Sequence, residues 1–126
     1  VENDDKASMY STKELYHGVY SNIGVPIVFD FHHHRFCDGG LSEQEALELA
    51  ISTWPEDITP VVHYSESRSK ERLDESIRPQ AHSDYVYDYI NTYGNDVDIM
   101  VEAKHKELAV ERYLDIHKNY LQNNCN

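Results

Sequence analysis

The hydrophobic and polar positions of this chain alternate between helical spacing and short continuous apolar runs. Helical spacing predicts helices over residues 11–23 and 42–54, a short helix after Ser83, and a last helix with one face formed by Ala109, Tyr113, Ile116 and Tyr120. Apolar runs predict an opening strand that ends in VEND, followed by strands over residues 25–29, 58–64 and 97–103. Because strands and helices alternate, we predict an α/β fold with parallel strands and right-handed crossovers.

Two of the predicted helices begin with a capping-box pattern. Ser11 is followed three residues later by Glu14, and Ser42 is followed by Glu45. In this motif the serine hydroxyl and the glutamate carboxylate each accept a hydrogen bond from a backbone N–H at the start of the helix. Ser11 and Ser42 are therefore predicted to be N-cap residues.

Each predicted strand ends at a side chain that can bind a metal ion. These strand-end residues are Glu2, Asp30, His63 and Glu102. Parallel strands that deliver carboxylates and imidazoles at their carboxyl ends build a converging polar site. Mixed oxygen and nitrogen donors suit manganese, zinc or iron. Metal-dependent hydrolysis is therefore the leading interpretation.

The segment DFHHH holds the densest group of potential ligands. Asp30 ends a buried strand, and the histidines at 32–34 follow in the same loop, where only one or two of them need to bind a cation. Each strand-end residue also has a structural interpretation. His63 alone could be a hydrogen-bonded structural residue, and Glu102 could form an ion pair with Lys104 or Lys106.

The length of the chain limits the size of the fold. A chain of 126 residues suffices for one domain with a hydrophobic core, whereas a complete eight-stranded α/β barrel needs about 250. The chain also opens on Val1, at what is interpreted as the end of a strand. We expect residues 1–126 to be a single partial domain, with an amino-terminal portion of the barrel missing.

The formal net charge of −12 argues against a generic nucleic-acid binder, which usually has a basic face. Divalent cations held by carboxylates would neutralise part of this acidity, and basic groups could lie in the missing portion. Cys37 and Cys125 lack CxxC spacing, so we predict an intracellular, reducing compartment and no disulfide between them. No apolar run approaches the roughly 18 residues that span a bilayer, and no membrane partner is predicted.

Five segments, taken in order, resemble the carboxyl-terminal half of the UV-damage endonuclease family. These segments are VENDDK, PIVFDFHHHR, VVHYSESR, AHSDYV and DIMVEAKHKELA. The resemblance implies half of a TIM barrel from a DNA repair nuclease related to endonucleases of the endonuclease IV type. It further implies a site with up to three divalent metals, Mn²⁺ first and Mg²⁺ or Zn²⁺ as alternatives. The expected reaction is cleavage of damaged double-stranded DNA on the 5′ side of a UV photoproduct or an abasic site.

The resemblance also assigns the metal ligands residue by residue. The family's metal-binding glutamate corresponds to Glu2, its aspartate to Asp30, and the histidine three positions further on to His33. The remaining ligands are expected at His63, His82 and Glu102. Of these residues, the three carboxylates, Glu2, Asp30 and Glu102, are expected to be catalytic.

Val61 stands where the family has a lysine two positions before the strand-end histidine, so no role of that lysine carries over. The residues that contact the damaged bases are expected outside this chain. Candidate phosphate contacts are Arg35, Lys104 and Arg68, the last in a charged loop predicted over residues 65–80. The alternative for that loop is a solvated charged segment.

Two other functions are compatible with the same residues. A sugar isomerase or epimerase of the xylose isomerase-like group also binds metals at barrel strand ends, and the acidic net charge favours it. The combination of HHHR with AHSDY favours the nuclease. A noncatalytic metal-binding or assembly module is the third interpretation, because a half-barrel exposes strand edges and needs its missing half or a partner chain.

Overall fold

The computed structural model describes residues 1–124, with side chains described through residue 121. The chain divides into two compact units. The first unit contains Val1–Tyr64 and Asn91–Met100, and the second contains Ser65–Ile90 and the chain from Val101 onward. The expectation of a single partial domain stays a prediction.

The first helical segment follows the predicted range but changes its winding. Helix α1 spans Thr12–Leu15 and helix α2 spans Ser21–Ile23, and a π-helical turn, Tyr16–Tyr20, joins them. Gly24 ends the segment with φ of 70°, a left-handed conformation that glycine adopts without steric cost. The predicted helix over residues 11–23 is therefore confirmed, apart from the wider turn in its middle.

Both predicted capping boxes are present. Ser11 Oγ accepts a hydrogen bond from the backbone N–H of Glu14, and Glu14 Oε1 accepts one from the backbone N–H of Ser11. Ser42 and Glu45 make the same reciprocal pair at 3.1 and 3.0 Å. Ser42 thereby starts helix α4, Glu43–Ile51, which corresponds to the helix predicted over residues 42–54.

A short sheet occupies the first unit. In the described residues it contains β1, Phe29–Asp30, then β2, Val61–Tyr64, then β3, Asp98–Val101, in that spatial order. Strand β3 lies in this unit except for its last residue. The pairing of β1 with β2 is parallel, as predicted, and places Asp30 opposite His63. In place of the opening strand predicted to end in VEND, Glu2 forms an isolated parallel bridge with Val28.

The first predicted strand is shorter than its apolar run, for a local reason. Pro26 has no N–H to donate to a sheet, and the backbone of Ile27 is bound by side chains instead. The N–H of Ile27 donates to Thr53 Oγ1 at 2.8 Å, and its carbonyl accepts from Trp54 Nε1 at 2.8 Å. Residues 25–28 therefore run extended beside the end of helix α4, and only Phe29 and Asp30 form β1.

The core of the first unit surrounds the strand that carries Asp30. Phe29, Phe31, Leu47 and Val62 are each at most 2% exposed. Burial of each such side chain contributes roughly 1.5–3 kcal/mol. The rings of Phe29 and Phe31 meet edge to face, with their centroids 4.9 Å apart. Asp30, which lies between these two residues in sequence, is itself fully buried.

Helix α3, Phe31–His34, follows β1 directly. Cys37, soon after it, is a free, buried cysteine. The predicted absence of a disulfide is not tested, because Cys125 lies outside the described residues.

One prediction for the second unit is wrong. The short helix predicted after Ser83 is absent from the described chain, because side chains bind its backbone. Ser83 Oγ donates to a backbone carbonyl at 2.6 Å rather than capping a helix. The Glu71 carboxylate accepts from the N–H groups of residues 84–85, and that of Glu66 accepts from those of residues 87–88. These bonds hold the segment in an irregular conformation.

The predicted charged loop contains a helix of its own, α5, Arg68–Arg72. Two further helices close the described chain, α6, Glu107–Ile116, and α7, Lys118–Asn124. Among residues 1–124, no helix is long and apolar enough to cross a membrane.

The apolar face predicted for the last helix is buried over only part of its length. Ala109 and Tyr113 are buried, whereas Ile116 is 50% and Tyr120 is 53% exposed. Helix α6 ends at Ile116, so the helical spacing does not continue through His117 into the next helix.

The capping box of α4 supports a stability prediction. Ser42→Ala removes the hydroxyl that accepts from Glu45 N–H, and we expect the free energy of unfolding to fall by about 1 kcal/mol. Urea denaturation followed by circular dichroism measures the change. Ser42→Asp is the matched control, because its carboxylate retains a cap acceptor. Equal losses in both variants would contradict the role of the cap.

Candidate metal centre

Three of the predicted ligands meet in the first unit. Glu2, Asp30 and His63 each offer one ligand atom, and these atoms lie within 4.8 Å of one another. The parallel register explains this arrangement, because Asp30 faces His63 across the sheet and Glu2 bridges to the residue two positions before Asp30. The prediction that these three strand-end residues converge is therefore confirmed.

Asp30 is the most constrained of these residues. It is fully buried, and its Oδ1 accepts hydrogen bonds from the backbone N–H groups of His32 and His33, both at 2.9 Å. Asp30 is therefore the N-cap of helix α3. Its other oxygen, Oδ2, is buried with no hydrogen-bond partner in the described chain. A buried carboxylate oxygen in this state is costly unless a proton or a cation meets it.

The pKa of Asp30 reflects the same environment. Burial raises the pKa of this carboxyl to about 6 from its ordinary 3.8, and the adjacent Glu2 carboxyl adds to the rise. The hydrogen bond from the backbone of His33, and the charge of its ring, act in the opposite direction. Two neighbouring carboxyl groups that resist simultaneous ionisation are a setting that a divalent cation relieves.

His33 is positioned against the two carboxylates. Its Nδ1 lies 2.8 Å from the backbone carbonyl of Asn3, and its Nε2 lies 3.6 Å from Asp30 Oδ2. Since a carbonyl only accepts, Nδ1 carries the proton in that hydrogen bond. Burial lowers the pKa of His33, but this hydrogen bond and the charges of Asp30, Glu2 and Asp5 outweigh it, and the net shift is upward.

The other two histidines of the triplet are core residues. His32 is 1% and His34 is 6% exposed. The ring of His32 packs against Phe36, and that of His34 packs against Phe29. Burial lowers the pKa of His34. Of the triplet, His33 lies beside both carboxylates, and its role as a ligand stays a prediction.

Asn3 is a residue of this centre that sequence reasoning missed. It is 1% exposed, and its side-chain amide forms two hydrogen bonds with the backbone of Asp30. The available signal was an amide placed directly after a candidate ligand, at a point where an ordinary strand would carry an apolar residue. A buried Asn is uncommon and is retained where both its donor and its acceptor are used.

The remaining predicted ligands lie in the second unit. His82 forms an isolated antiparallel bridge with Ser67. Glu102 directly follows the last residue of β3 and is half-buried. The roles predicted for His82 and Glu102 stay predictions.

The candidate phosphate contacts differ in how they are paired. Arg68 Nη1 lies 3.0 Å from Asp84 Oδ1, and Arg72 contacts the other oxygen of the same carboxylate. Arg35 and Lys104 are exposed. The charge of Arg68 is therefore partly neutralised within the protein.

The comparison with known families decides the relationship. The family model described as UV-endonuclease UvdE matches residues 1–124. The chain belongs to this family. The resemblance stated from the five sequence segments is therefore confirmed.

Sequence similarity to UV DNA damage endonucleases is consistent with this membership. The UV DNA damage endonuclease of Bacillus cereus (strain G9842) is 33% identical over 91% of this chain and 36% of its own length. That of Bacillus mycoides (strain KBAB4) is 33% identical over 87% of this chain and 35% of its own length. The chain thus spans little more than a third of the length of these relatives.

A solved structure shares the fold. The crystal structure of SacUVDE superposes with a TM-score of 0.73 and 28% sequence identity, covering 94% of this chain and 39% of that one. The α/β fold with parallel strands predicted from the sequence is thereby confirmed, whereas its completion as a TIM barrel stays a prediction.

The raised pKa of Asp30 leads to a stability prediction for the metal-free protein. The folded state binds this proton more tightly than the unfolded chain, so the cost to the fold grows as the pH rises from about 4 to about 6 and is fully present above that range. Asp30→Asn keeps a cap acceptor and removes the charge. We expect it to raise the free energy of unfolding at pH 7.5 by up to about 3 kcal/mol.

The gain should be largest above pH 6, shrink as the pH falls from 6 to 4, and vanish below about pH 3, where the wild-type carboxyl is protonated in both the folded and the unfolded state. Urea denaturation in EDTA across this range measures it. Asp57→Asn, at an exposed carboxyl, is the control and should show no such profile. A loss of stability at pH 7.5 in Asp30→Asn would show that the buried charge is compensated.

Proposed function

We propose that this chain contributes part of the active site of a metal-dependent endonuclease that hydrolyses a phosphodiester bond in damaged DNA. The observation that carries the proposal is the convergence of Glu2, Asp30 and His63 in a chain of the UvdE family. Relatives that match most of the chain are named UV DNA damage endonucleases. The proposed substrate is double-stranded DNA with a UV photoproduct or an abasic site, cut on the 5′ side.

The residues of the first unit fit a divalent cation. The buried Oδ2 of Asp30 has no hydrogen-bond partner in the described chain, and Glu2 and His63 supply a second carboxylate and an imidazole beside it. Such mixed oxygen and nitrogen donors suit manganese, zinc or iron. The family resemblance favours Mn²⁺, with Mg²⁺ or Zn²⁺ as alternatives. The proposed ligand set is completed by His33 and, from the family resemblance, by His82 and Glu102.

Charge determines the proposed chemistry. When bound, divalent cations would polarise a water molecule and offset the negative charge that grows on the phosphate oxygens during hydrolysis. The chain itself supplies orientation. Two backbone N–H groups fix Asp30 Oδ1, which leaves Oδ2 as the ligand atom. The carbonyl of Asn3 holds a proton of His33 on Nδ1, so Nε2 is the ring atom that would bind a cation in place of its own proton.

The proposal extends to the architecture. The superposition covers 94% of this chain and 39% of SacUVDE, so the matched region is one part of a larger structure. From the family resemblance, the proposed architecture is the carboxyl-terminal half of a TIM barrel. In that barrel the residues that contact the lesion are expected outside this chain. An intracellular location is proposed for an enzyme that acts on cellular DNA.

A noncatalytic metal-binding module is the second candidate. The observation in its favour is the formal net charge of −12, which opposes binding to nucleic acid but is compatible with binding cations. Such a module would bind Mn²⁺ without cutting DNA, so measuring both properties on one preparation separates the candidates. Family membership gives no support to a sugar isomerase.

The catalytic carboxylates are tested by amide substitutions. Glu2→Gln, Asp30→Asn and Glu102→Gln should each lower Mn²⁺-dependent nicking of UV-irradiated plasmid by about a thousandfold or more, because each removes a charge that holds a cation. Agarose gels measure nicking, and end mapping locates the cut. Near-normal cleavage in Asp30→Asn would defeat the proposal.

Two controls accompany these variants. Glu56→Gln removes an exposed carboxylate and should leave nicking unchanged. EDTA should abolish nicking by the wild type, and added Mn²⁺ should restore it.

The phosphate contacts are tested by the salt dependence of DNA binding. Arg35→Gln and Lys104→Gln should each reduce the slope of log binding constant against log salt by about 0.9. Arg68→Gln should reduce it less, because Asp84 already pairs with that guanidinium. Fluorescence anisotropy on a damaged duplex measures the slopes. Unchanged slopes for Arg35 and Lys104 would show that neither contacts phosphate.

A further inference from the structure

The backbone near Asn3 shows an unusual form of strand pairing. The N–H of Val28 donates to the carbonyl of Val1 at 2.7 Å, as in a parallel ladder. The ladder then stops, because the chain turns away at Asp4, whose N–H donates to the carbonyl of Tyr10 at 2.9 Å. Asp30 would therefore lose its strand partner on this side.

The side chain of Asn3 replaces the missing ladder. Its Nδ2 donates to the Asp30 carbonyl at 3.0 Å, and its Oδ1 accepts from the Asp30 N–H at 2.9 Å. These two bonds define the orientation of the amide, because a backbone N–H only donates and a carbonyl only accepts. The main-chain carbonyl of Asn3 then accepts from His33 Nδ1 at 2.8 Å. A single buried residue thus contacts two proposed ligands and is bonded covalently to a third, Glu2.

Asparagine suits position 3 better than chemically similar residues such as aspartate and serine. Aspartate has no donor for the Asp30 carbonyl and would place a carboxylate beside that oxygen. Serine is too short to make both bonds. Loss of either bond leaves a buried backbone group without its partner, at a cost of about 1–3 kcal/mol.

We propose that Asn3 is a positioning residue of the metal centre, whose side-chain amide holds Asp30, and whose carbonyl holds His33, in register with Glu2. It acts through these residues and does not itself bind the cation. The inference rests on the proposed function, since it requires that the centre bind a divalent cation. Its consequence is that cation affinity depends on a side chain outside the ligand set.

If Asn3 had only a structural role, its substitution would lower stability without changing Mn²⁺ affinity. The test therefore compares Asn3 with a second buried residue that makes two hydrogen bonds. Thr53 is the matched control. It is 4% exposed, and its Oγ1 accepts from the Ile27 N–H and donates to the Ala50 carbonyl, with no contact to a proposed ligand. Thr53→Val removes both bonds at nearly constant volume. Asn3→Ser removes those of the centre.

The measurement is Mn²⁺ affinity, read from the electron paramagnetic resonance signal of free Mn²⁺, beside the urea midpoint of the metal-free protein. We expect Asn3→Ser to weaken Mn²⁺ binding by 10- to 100-fold, as for other residues that orient metal ligands. Thr53→Val should lower the urea midpoint while its affinity stays within twofold of the wild type. Asn3→Ser with wild-type affinity would overturn the inference and leave the proposed function intact.

A second variant keeps the test decisive if Asn3→Ser does not fold. Asn3→Asp preserves volume and the acceptor for the Asp30 N–H, and its added negative charge would tighten cation binding by simple attraction. Weaker Mn²⁺ binding in Asn3→Asp therefore reports lost positioning, and at least a threefold loss is expected. Equal or tighter binding would overturn the inference. A wild type that does not bind Mn²⁺ would instead refute the proposed metal centre.

Discussion

The Oδ2 atom of Asp30 is the constraint on which the rest of this site depends. The Asp30 side chain is fully buried, and its Oδ1 caps helix α3. Its Oδ2 has no hydrogen-bond partner among the described residues. A second carboxylate, Glu2, lies beside it, which helps to raise the pKa of Asp30 to about 6. Burial of this carboxylate beside Glu2 thus carries an electrostatic cost, and a bound cation is the simplest means of removing it.

Parts of the fold and site that are encoded by local pattern were predictable from the sequence. Ser42 and Glu45 form a capping box because both partners lie within one helical turn, and the spacing alone specifies their contact. Asp30 and His63 could be placed together because each ends an apolar run, and parallel strands align such ends. In the second unit, Glu102 was also identified from the end of an apolar run, whereas His82 was assigned from the family resemblance.

Other features depend on contacts between residues distant in sequence, and no local pattern shows them. The sequence predicted a helix after Ser83, but the carboxylates of Glu66 and Glu71 accept hydrogen bonds from the N–H groups of this segment, which is not helical. Asn3 was missed for a similar reason, since its amide serves the backbone of a residue 27 positions away. In both cases a side chain satisfies main-chain groups that secondary structure would otherwise use.

The acidity of the chain also has a physical interpretation in the proposed function. Asp84 pairs with Arg68 and Arg72, so part of the positive charge in the second unit stabilises the fold rather than facing DNA. With a formal net charge of −12, attraction between the protein surface and phosphate is weak. The proposal therefore assigns the main electrostatic contact with the scissile phosphate to bound cations, which the clustered carboxylates hold.

The most direct test of this account is anomalous diffraction from crystals of the protein soaked in Mn²⁺. The account predicts a strong anomalous peak within coordination distance of Glu2, Asp30 and His63, and its loss in crystals of Asp30→Asn. The absence of an anomalous peak at these three side chains in crystals soaked in saturating Mn²⁺ would contradict the claim that they hold a cation.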